Sequence, residues 1–352
     1  YVILAAGLSA VVLALTMDSF LVPVFFLLSI GMAIIYNLGT NFVSGEISFI
    51  TQALAAVLQL AVTMDYSIFL WHSYQENQER FPGDKKRAMA HAISNTVSSV
   101  VASSVTTVAG FVAMCFMTFT LGLDLGIVMA KGVVLGVFCC VTVLPAMILT
   151  FDGALEKTRH RALIPKFDKM GTFATRKFPI FLVLFVVILL PAVYGYRNTN
   201  VYYDLAGTLP ADLESVQANN KLEEDFNMGA THIILASSDL SHKDASNMID
   251  EINDLDGVAV ALGKDAILGP AVPQEMLPAD VKDMLDNGKL QMIYVMSEYK
   301  TASDEVNAQC DAIKGIIKRY DPTAMLIGEA PCTEDLITIT DKDFKTCLLY
   351  TS

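Results

Sequence analysis

LQLAVTMDYSIFLW, residues 58–71, puts a carboxylate, Asp65, and a phenol, Tyr66, inside an apolar run long enough to cross a bilayer. Hydrocarbon does not solvate a carboxylate, and burying one there costs from about 3 to well over 10 kcal/mol. Such a group normally faces a bundle interior or a wet cavity and moves ions or protons. Asp65 and Tyr66 are therefore the candidate proton relay. Protonation removes the charge of the carboxylate, and a Tyr hydroxyl can both donate and accept in a hydrogen-bond wire. The competing reading is a buried hydrogen bond or ion pair that holds helices together.

The surrounding chain has 352 residues, 53% hydrophobic and 17% charged, with mean hydropathy +0.48. That balance fits a polytopic membrane protein. The charge is segregated. Residues 1–196 carry 12 Lys/Arg and 10 Asp/Glu, net +2, whereas residues 197–352 carry 12 and 27, net −15. A membrane half is followed by an acidic half, which argues against nucleic acid as a partner. Of six cysteines, Cys115, Cys139 and Cys140 lie in apolar runs and read as small core residues. Cys310, Cys332 and Cys347 lie in the acidic half, where a Cys310–Cys332 disulfide is an open option. No Cys/His spacing suggests a metal, and no cofactor is expected.

Hydropathy marks six spans, at 2–17, 20–38, 47–71, 92–118, 125–151 and 178–196. The 72–91 loop holds Arg80, Lys85, Lys86 and Arg87. The 152–177 segment holds Lys157, Arg159, Arg161, Lys166, Lys169, Arg176 and Lys177, while the 39–46 and 119–124 loops hold no Lys or Arg. The positive-inside rule places the two basic segments in the cytoplasm and residues 197–352 outside it. Residues 166–177 read as a helix on the inner surface, with Phe167, Met170 and Phe173 toward lipid. The expected domains are spans within 1–151, a cytoplasmic linker at 152–177, a further span at 178–196, and an extracytoplasmic domain at 197–346. Both ends read as cut, and the closing CLLYTS, 347–352, resembles translated read-through of a sequencing adapter.

The acidic half alternates strand and helix patterns. Strands are predicted at 231–237, 258–261, 290–297 and 324–327, and helices at 241–255 and 301–320. Ser241/Asp244 and Thr301/Asp304 stand at capping-box spacing. With an insertion near 269–288, this order is the split βαβ, ferredoxin-like pattern. The fold class is an α-helical polytopic membrane bundle plus an α+β extracytoplasmic domain.

Around the relay, Asn95, Ser99, Ser103, Thr106 and Gly110 recur at three- and four-residue spacing on the fourth span. Helix packing is the plainer reading of that stripe, with one or two members shaping a wet pocket around Asp65. Lys131, seven residues after Asp124, either snorkels to the interface or pairs within the bundle. Gly122/Gly126 and Gly132/Gly136 are small-xxx-small pairs that favour close helix contact. His72 and His91 flank cytoplasmic span ends and read as interfacial. An intramembrane aspartyl protease needs a second Asp facing the first, and Asp124 lies at the opposite membrane face. With no nucleophile triad, phosphate loop or metal cluster in view, the chain does not read as an enzyme.

TMDYSIFL at 63–70, the basic 85–87 and AKGVVLGVFCCVTVLPAMIL at 130–149 resemble the RND superfamily, specifically its MMPL branch. YYDLAGTLPADLESVQANNKLEEDF at 202–226 is similar to the segment after that family's seventh membrane helix. IGEAPCTEDLITITDKDF at 327–344 is similar to the segment running up to its eighth. The resemblance covers nearly the whole chain and implies that the six spans are helices two to seven of twelve. It implies an Asp-Tyr pair in each half, on helices four and ten, of which Asp65-Tyr66 is the first. A fragment with one pair is not expected to pump alone. The implied function is export of hydrophobic or amphiphilic molecules, such as lipids or drugs, driven by proton movement. The implied partners are the bilayer, the substrate and protons, with a homo-oligomer left open. A sterol-sensing or Patched-like sensor and a SecD/SecF-like export accessory are the alternatives.

Overall fold

A computed structural model describes residues 2–43, 45–160, 168–199, 208–264 and 284–351. The chain divides into two compact units, 1–191 with 342–352, and 192–341.

In the first unit, helices α1 (Val2–Thr16) and α2 (Leu21–Gly39) lead through a 3-10 turn, Thr40–Val43, into α3 (Phe49–Arg80). Then come α4 (Lys85–Met114), α5 (Thr120–Val141), α6 (Val143–Thr150), α7 (Asp152–Lys157), α8 (Asp168–Arg176) and the greater part of α9 (Phe178–Arg197). Among the described residues, five segments are long and apolar enough to cross a membrane: Leu21–Val43, Phe49–Arg80, Lys85–Met114, Thr120–Thr150 and Phe178–Arg197. The predicted span at 2–17 forms a helix of 15 residues, below that length.

The boundaries differ from the sequence reading for identifiable reasons. The helix begun before Asp65 does not stop at Trp71. It runs nine residues on because Tyr74 is buried, the Asn77 amide donates to Ser73 O at 2.8 Å, and Glu76 pairs with Arg80 at 3.8 Å. The predicted 125–151 span is two helices that meet at Thr142. Pro145 has no N–H to donate to the carbonyl four residues back, at Val141, and the ladder breaks there. The predicted surface helix is α8, shorter than expected at 168–176, and Phe167 lies outside the described residues.

The bundle core joins Leu13 and Met17 with Phe25 and Phe26 of α2, Tyr66, Leu70 and Tyr74 of α3, Met89 and Val100 of α4, and Leu144 and Ile148 of α6. Charged pairs close its α3–α4 end. Lys85 pairs with Asp152 and, at 3.5 Å, with Glu156. Asp18 accepts from Arg159 Nε at 3.1 Å and from Trp71 Nε1 at 3.3 Å. These groups line a cavity of about 160 Å³. In contrast, α9 buries none of its residues, so all its faces are suited to lipid.

The second unit holds α10 (Glu214–Phe226), β1 (Thr231–Ser237), α11 (His242–Asn253), β2 (Val258–Leu262), β3 (Leu290–Ser297), α12 (Asp304–Tyr320), β4 (Met325–Gly328) and the start of α13 (Glu329–Thr351). The sheet order is β2-β3-β1-β4, antiparallel throughout, which is the expected ferredoxin-like arrangement. Its core is Ile234, Met248, Ile249, Ile252, Ile293, Val295, Ile313 and Ile317. The Ser241 cap forms as read, accepting from Asp244 N at 3.1 Å. The second cap is Ser303 instead of Thr301, accepting from Val306 N at 3.1 Å. Cys310 and Cys332 are free thiols, so the optional disulfide is absent. Most of the predicted insertion lies outside the described residues.

His232 stands on the inward face of β1, fully buried, with neither ring nitrogen hydrogen-bonded. Burial holds its pKa below the usual imidazole value, against an opposing pull from Gln309. The unfolded chain then takes up a proton before the folded one does. This contribution to stability is complete above about pH 6.5, the ordinary His value, and is lost as pH falls below it. Protection factors of the β1 amides in the whole protein should fall as pH is lowered from 7 to 5, and H232L should remove that fall.

Candidate functional site in the membrane bundle

Successive residues of an α-helix point about 100° apart. Asp65 and Tyr66 are accordingly divided between two faces of α3. Tyr66 is buried in the core cluster with Val100 and Cys140. Asp65 lies on an uncovered stripe with Leu54, Leu58, Ala61, Phe69 and His72. Among the described residues it makes no hydrogen bond or ion pair.

The predicted stripe on α4 is also uncovered: Asn95, Ser99, Ser103 and Thr106 are exposed. The buried polar residues of that helix are Thr96 and Ser104, one position further on. Packing within the described bundle therefore does not account for the Asn95–Thr106 stripe. The Thr106 hydroxyl of the stripe turns back to the backbone, donating to Ser103 O at 2.7 Å, as does its neighbour Thr107 at 3.0 Å. Ser and Thr satisfy themselves this way where hydrocarbon offers nothing. Depth is set by Ser73, whose hydroxyl contacts Ala92 O at 3.5 Å. Counting eight residues along each antiparallel helix brings Asp65 level with Ser99–Val100. The uncovered carboxylate and the uncovered polar stripe therefore share a depth.

Lys131 and Asp124 do not pair. Asp124 accepts from Ser48 N at 3.0 Å and from Thr51 Oγ1 at 2.6 Å, securing the first turn of α3. Lys131 donates to Asn41 Oδ1, just past the end of α2.

That contact opens a polar seam between α2, α3 and α5 that residue-by-residue reading of the sequence missed. Asn37 Nδ2 donates to Gln59 Oε1 at 3.0 Å, and Gln59 Nε2 donates to Gly132 O at 3.1 Å. One turn along, Thr63 faces Gly136, and one turn further Ser67 donates to Thr63 O at 3.0 Å. Ser29 of α2 reaches Cys139 O at 3.5 Å. The two glycines make room: a Cβ on Gly132 would sit 2.6 Å from Asn37 Nδ2, and one on Gly136 would overlap Thr63 Oγ1. Among the described residues, three buried atoms of the seam have no partner, namely Asn37 Oδ1, Asn41 Nδ2 and Thr63 Oγ1. Each unmade bond costs about 1–3 kcal/mol. The signal was the four-residue spacing of Gln59, Thr63 and Ser67 on α3, opposite Gly132/Gly136. Among the described residues no three His, Cys, Asp or Glu side chains gather to hold a metal.

A bundle of apolar spans followed by a ferredoxin-like domain is an arrangement found in RND-type membrane proteins, and comparison with known proteins agrees. The MMPL family model matches residues 1–177. The chain belongs to the MMPL family. Among relatives, it is 27% identical over 220 residues to the siderophore exporter MmpL5 of Mycobacterium tuberculosis, covering 60% of this chain and 22% of MmpL5. It is 24% identical over 291 residues to the membrane protein YdfJ of Bacillus subtilis, covering 76% of this chain and 38% of YdfJ. Its fold resembles that of SecDF, a translocon-associated membrane protein from Thermus thermophilus, with TM-score 0.51 at 14% identity over 99% of this chain and 41% of SecDF. The chain thus spans well under half the length of these relatives.

The seam predicts a selective intolerance. In detergent, the full-length G136V protein should lose about 1–3 kcal/mol of stability through overpacking against Thr63. G110A, which adds its methyl group to open space, should unfold at or above the parental temperature.

Proposed function

We propose that this chain is part of a membrane transporter that exports hydrophobic or amphiphilic molecules, driven by the proton-motive force. Asp65 is its proton-carrying group. The observation that carries this reading is the uncovered carboxylate within a membrane span, level with a face of small and polar residues on α4. A charged Asp65 needs water or a cation, whereas a protonated one can pack against another helix. That difference is a two-state element of the kind alternating access requires. A membrane helix docked on the two uncovered faces would complete the site. Tyr66, turned inward one residue on, offers its hydroxyl to pass the proton between the uncovered face and the bundle interior.

Membership of the MMPL family and similarity to an exporter support transport over the alternatives. The Patched-like reading expects extensive cysteine pairing outside the cell, and Cys310 and Cys332 are free. The likeness to SecDF concerns the fold. In this proposal the basic loops remain in the cytoplasm and residues 197–346 lie outside it, as the Lys/Arg distribution indicates.

Proton flux in proteoliposomes tests the relay. The full-length D65N protein should be expressed and folded normally and lose at least 90% of substrate-dependent flux; full transport by D65N would refute the assignment. Y66F removes one hydroxyl and little volume, and should cut flux at least tenfold with little loss of stability. Orientation is tested separately, with single cysteines at the exposed Glu79 and Asp250 in a cysteine-free background. An impermeant thiol reagent applied to intact cells should label the second and spare the first.

A further inference from the structure

The cavity at the α3–α4 end of the bundle has no part in the relay at Asp65, and its lining is that of a binding site. Buried Trp71, Tyr74 and Leu155 form its inner wall. Glu156 and Arg159, with side chains 74% and 62% exposed, form its mouth. The charges do not balance. Among the described residues that line it, three carboxylates, Asp18, Asp152 and Glu156, face two cations, Lys85 and Arg159. Arg159 pairs with Asp18, and Lys85 alone serves both Asp152 and Glu156. One negative charge is left over in a partly desolvated place, where it attracts a cation more strongly than in open water. The rings of Trp71 and Tyr74 stand 5.8 Å apart at 51°, so two tilted aromatic walls meet there. Trp71 Nε1 ties that corner to Asp18. The Tyr74 hydroxyl, beside Gln78, forms no hydrogen bond of normal geometry.

We infer that this cavity binds an alkylammonium group. The surplus of one negative charge selects a monocation. Aromatic walls favour an organic ammonium, whose charge is stabilised by ring faces. Its N–H groups find acceptors in the carboxylates and the Tyr74 oxygen. An anion would have to displace a carboxylate from Lys85 or Arg159. Size limits what enters. The cavity of about 160 Å³ is near the roughly 150 Å³ that holds a benzene, and well below the roughly 300–1,000 Å³ of sites for drug-sized ligands. A head group therefore enters and any long tail stays outside. Two sources present such a head: an ethanolamine lipid in the adjoining leaflet, since Trp71 closes the apolar run of α3, and a free amine in solution.

The probe is n-butylammonium, with 1-butanol and butyrate as its neutral and anionic matches. Each is titrated calorimetrically into the full-length protein in a non-ionic detergent at constant ionic strength. Butylammonium should bind saturably and at least tenfold more tightly than either match. Absence of saturable binding, or equal binding of butanol, overturns the proposal. E156Q removes the surplus charge and leaves the Lys85–Asp152 pair in place; it should weaken butylammonium at least threefold, and E156D should restore it. Y74F should weaken it by a similar factor. Unchanged affinity in both E156Q and Y74F overturns the assignment to this cavity. A second measurement does not depend on those variants. In cysteine-free full-length protein, labelling of Q78C on the cavity wall should slow at least threefold with saturating butylammonium and not with butanol; no slowing overturns the proposal. Nanodiscs then separate the sources. At equal anionic lipid, replacing a neutral glycolipid by an ethanolamine lipid should lower the apparent affinity for butylammonium if the lipid head is the occupant, and unchanged affinity assigns the site to free amines. Binding needs no proton flux, so these outcomes stand whatever D65N shows.

Discussion

Gln59 is the group on which the bundle turns. Its amide accepts from Asn37 of α2 and donates to the Gly132 carbonyl of α5, so one side chain on α3 fixes three helices. In hydrocarbon, apolar side chains do not drive helices together, because lipid is as apolar as they are. What specifies one arrangement is close backbone approach and polar contact. The seam supplies both, with glycine facing carboxamide at one level and glycine facing hydroxyl at the next. Asp124 does related work at the end of the bundle, by holding Ser48 and Thr51 at the first turn of α3.

The same constraint separates two kinds of polar residue. Those of the seam are enclosed by protein. Asp65 and the Asn95–Thr106 face are not, and the Thr106 hydroxyl there falls back on the Ser103 carbonyl. A carboxylate has no such retreat. A structural Asp in hydrocarbon would be expected to hold a partner as Asp124 holds Ser48 and Thr51. Asp65 holds none among the described residues, and the proposed function gives it the exchange of a proton instead.

Much of this was legible in the sequence, and the rest failed for physical reasons. Apolar runs gave the spans, and strand alternation gave the ferredoxin-like domain, with β1 and β3 recovered to the residue. The α3 end was not legible, because His72–Arg80 looks like a polar loop and is held helical by Tyr74, Asn77 and an ion pair. The facing of α4 was not legible either. From Ser94 to Thr107 nearly every turn carries Ser, Thr or Asn, so periodicity cannot choose between the Asn95 and Thr96 faces. Asp65-Tyr66 was found by its charge, but adjacency in sequence meant separation in space. Gln59 carries no charge and stands alone in an apolar run; its four-residue partnership with Thr63 and Ser67 acquires meaning only opposite the two glycines of α5.

The length of α3 bears on energetics. Its 32 residues make a rod of about 48 Å, against a hydrocarbon core of about 30 Å. With Phe49 at the outer edge of the core, as in the proposed orientation, Asp65 lies roughly 24 Å in. A proton arriving from outside has then crossed about four-fifths of the membrane field. Each 100 mV favours its arrival at Asp65 by roughly 1.8 kcal/mol, about a twentyfold bias in occupancy. Most of the electrical work of coupling would then be done during loading of the carboxylate, leaving release to the cytoplasm nearly insensitive to voltage.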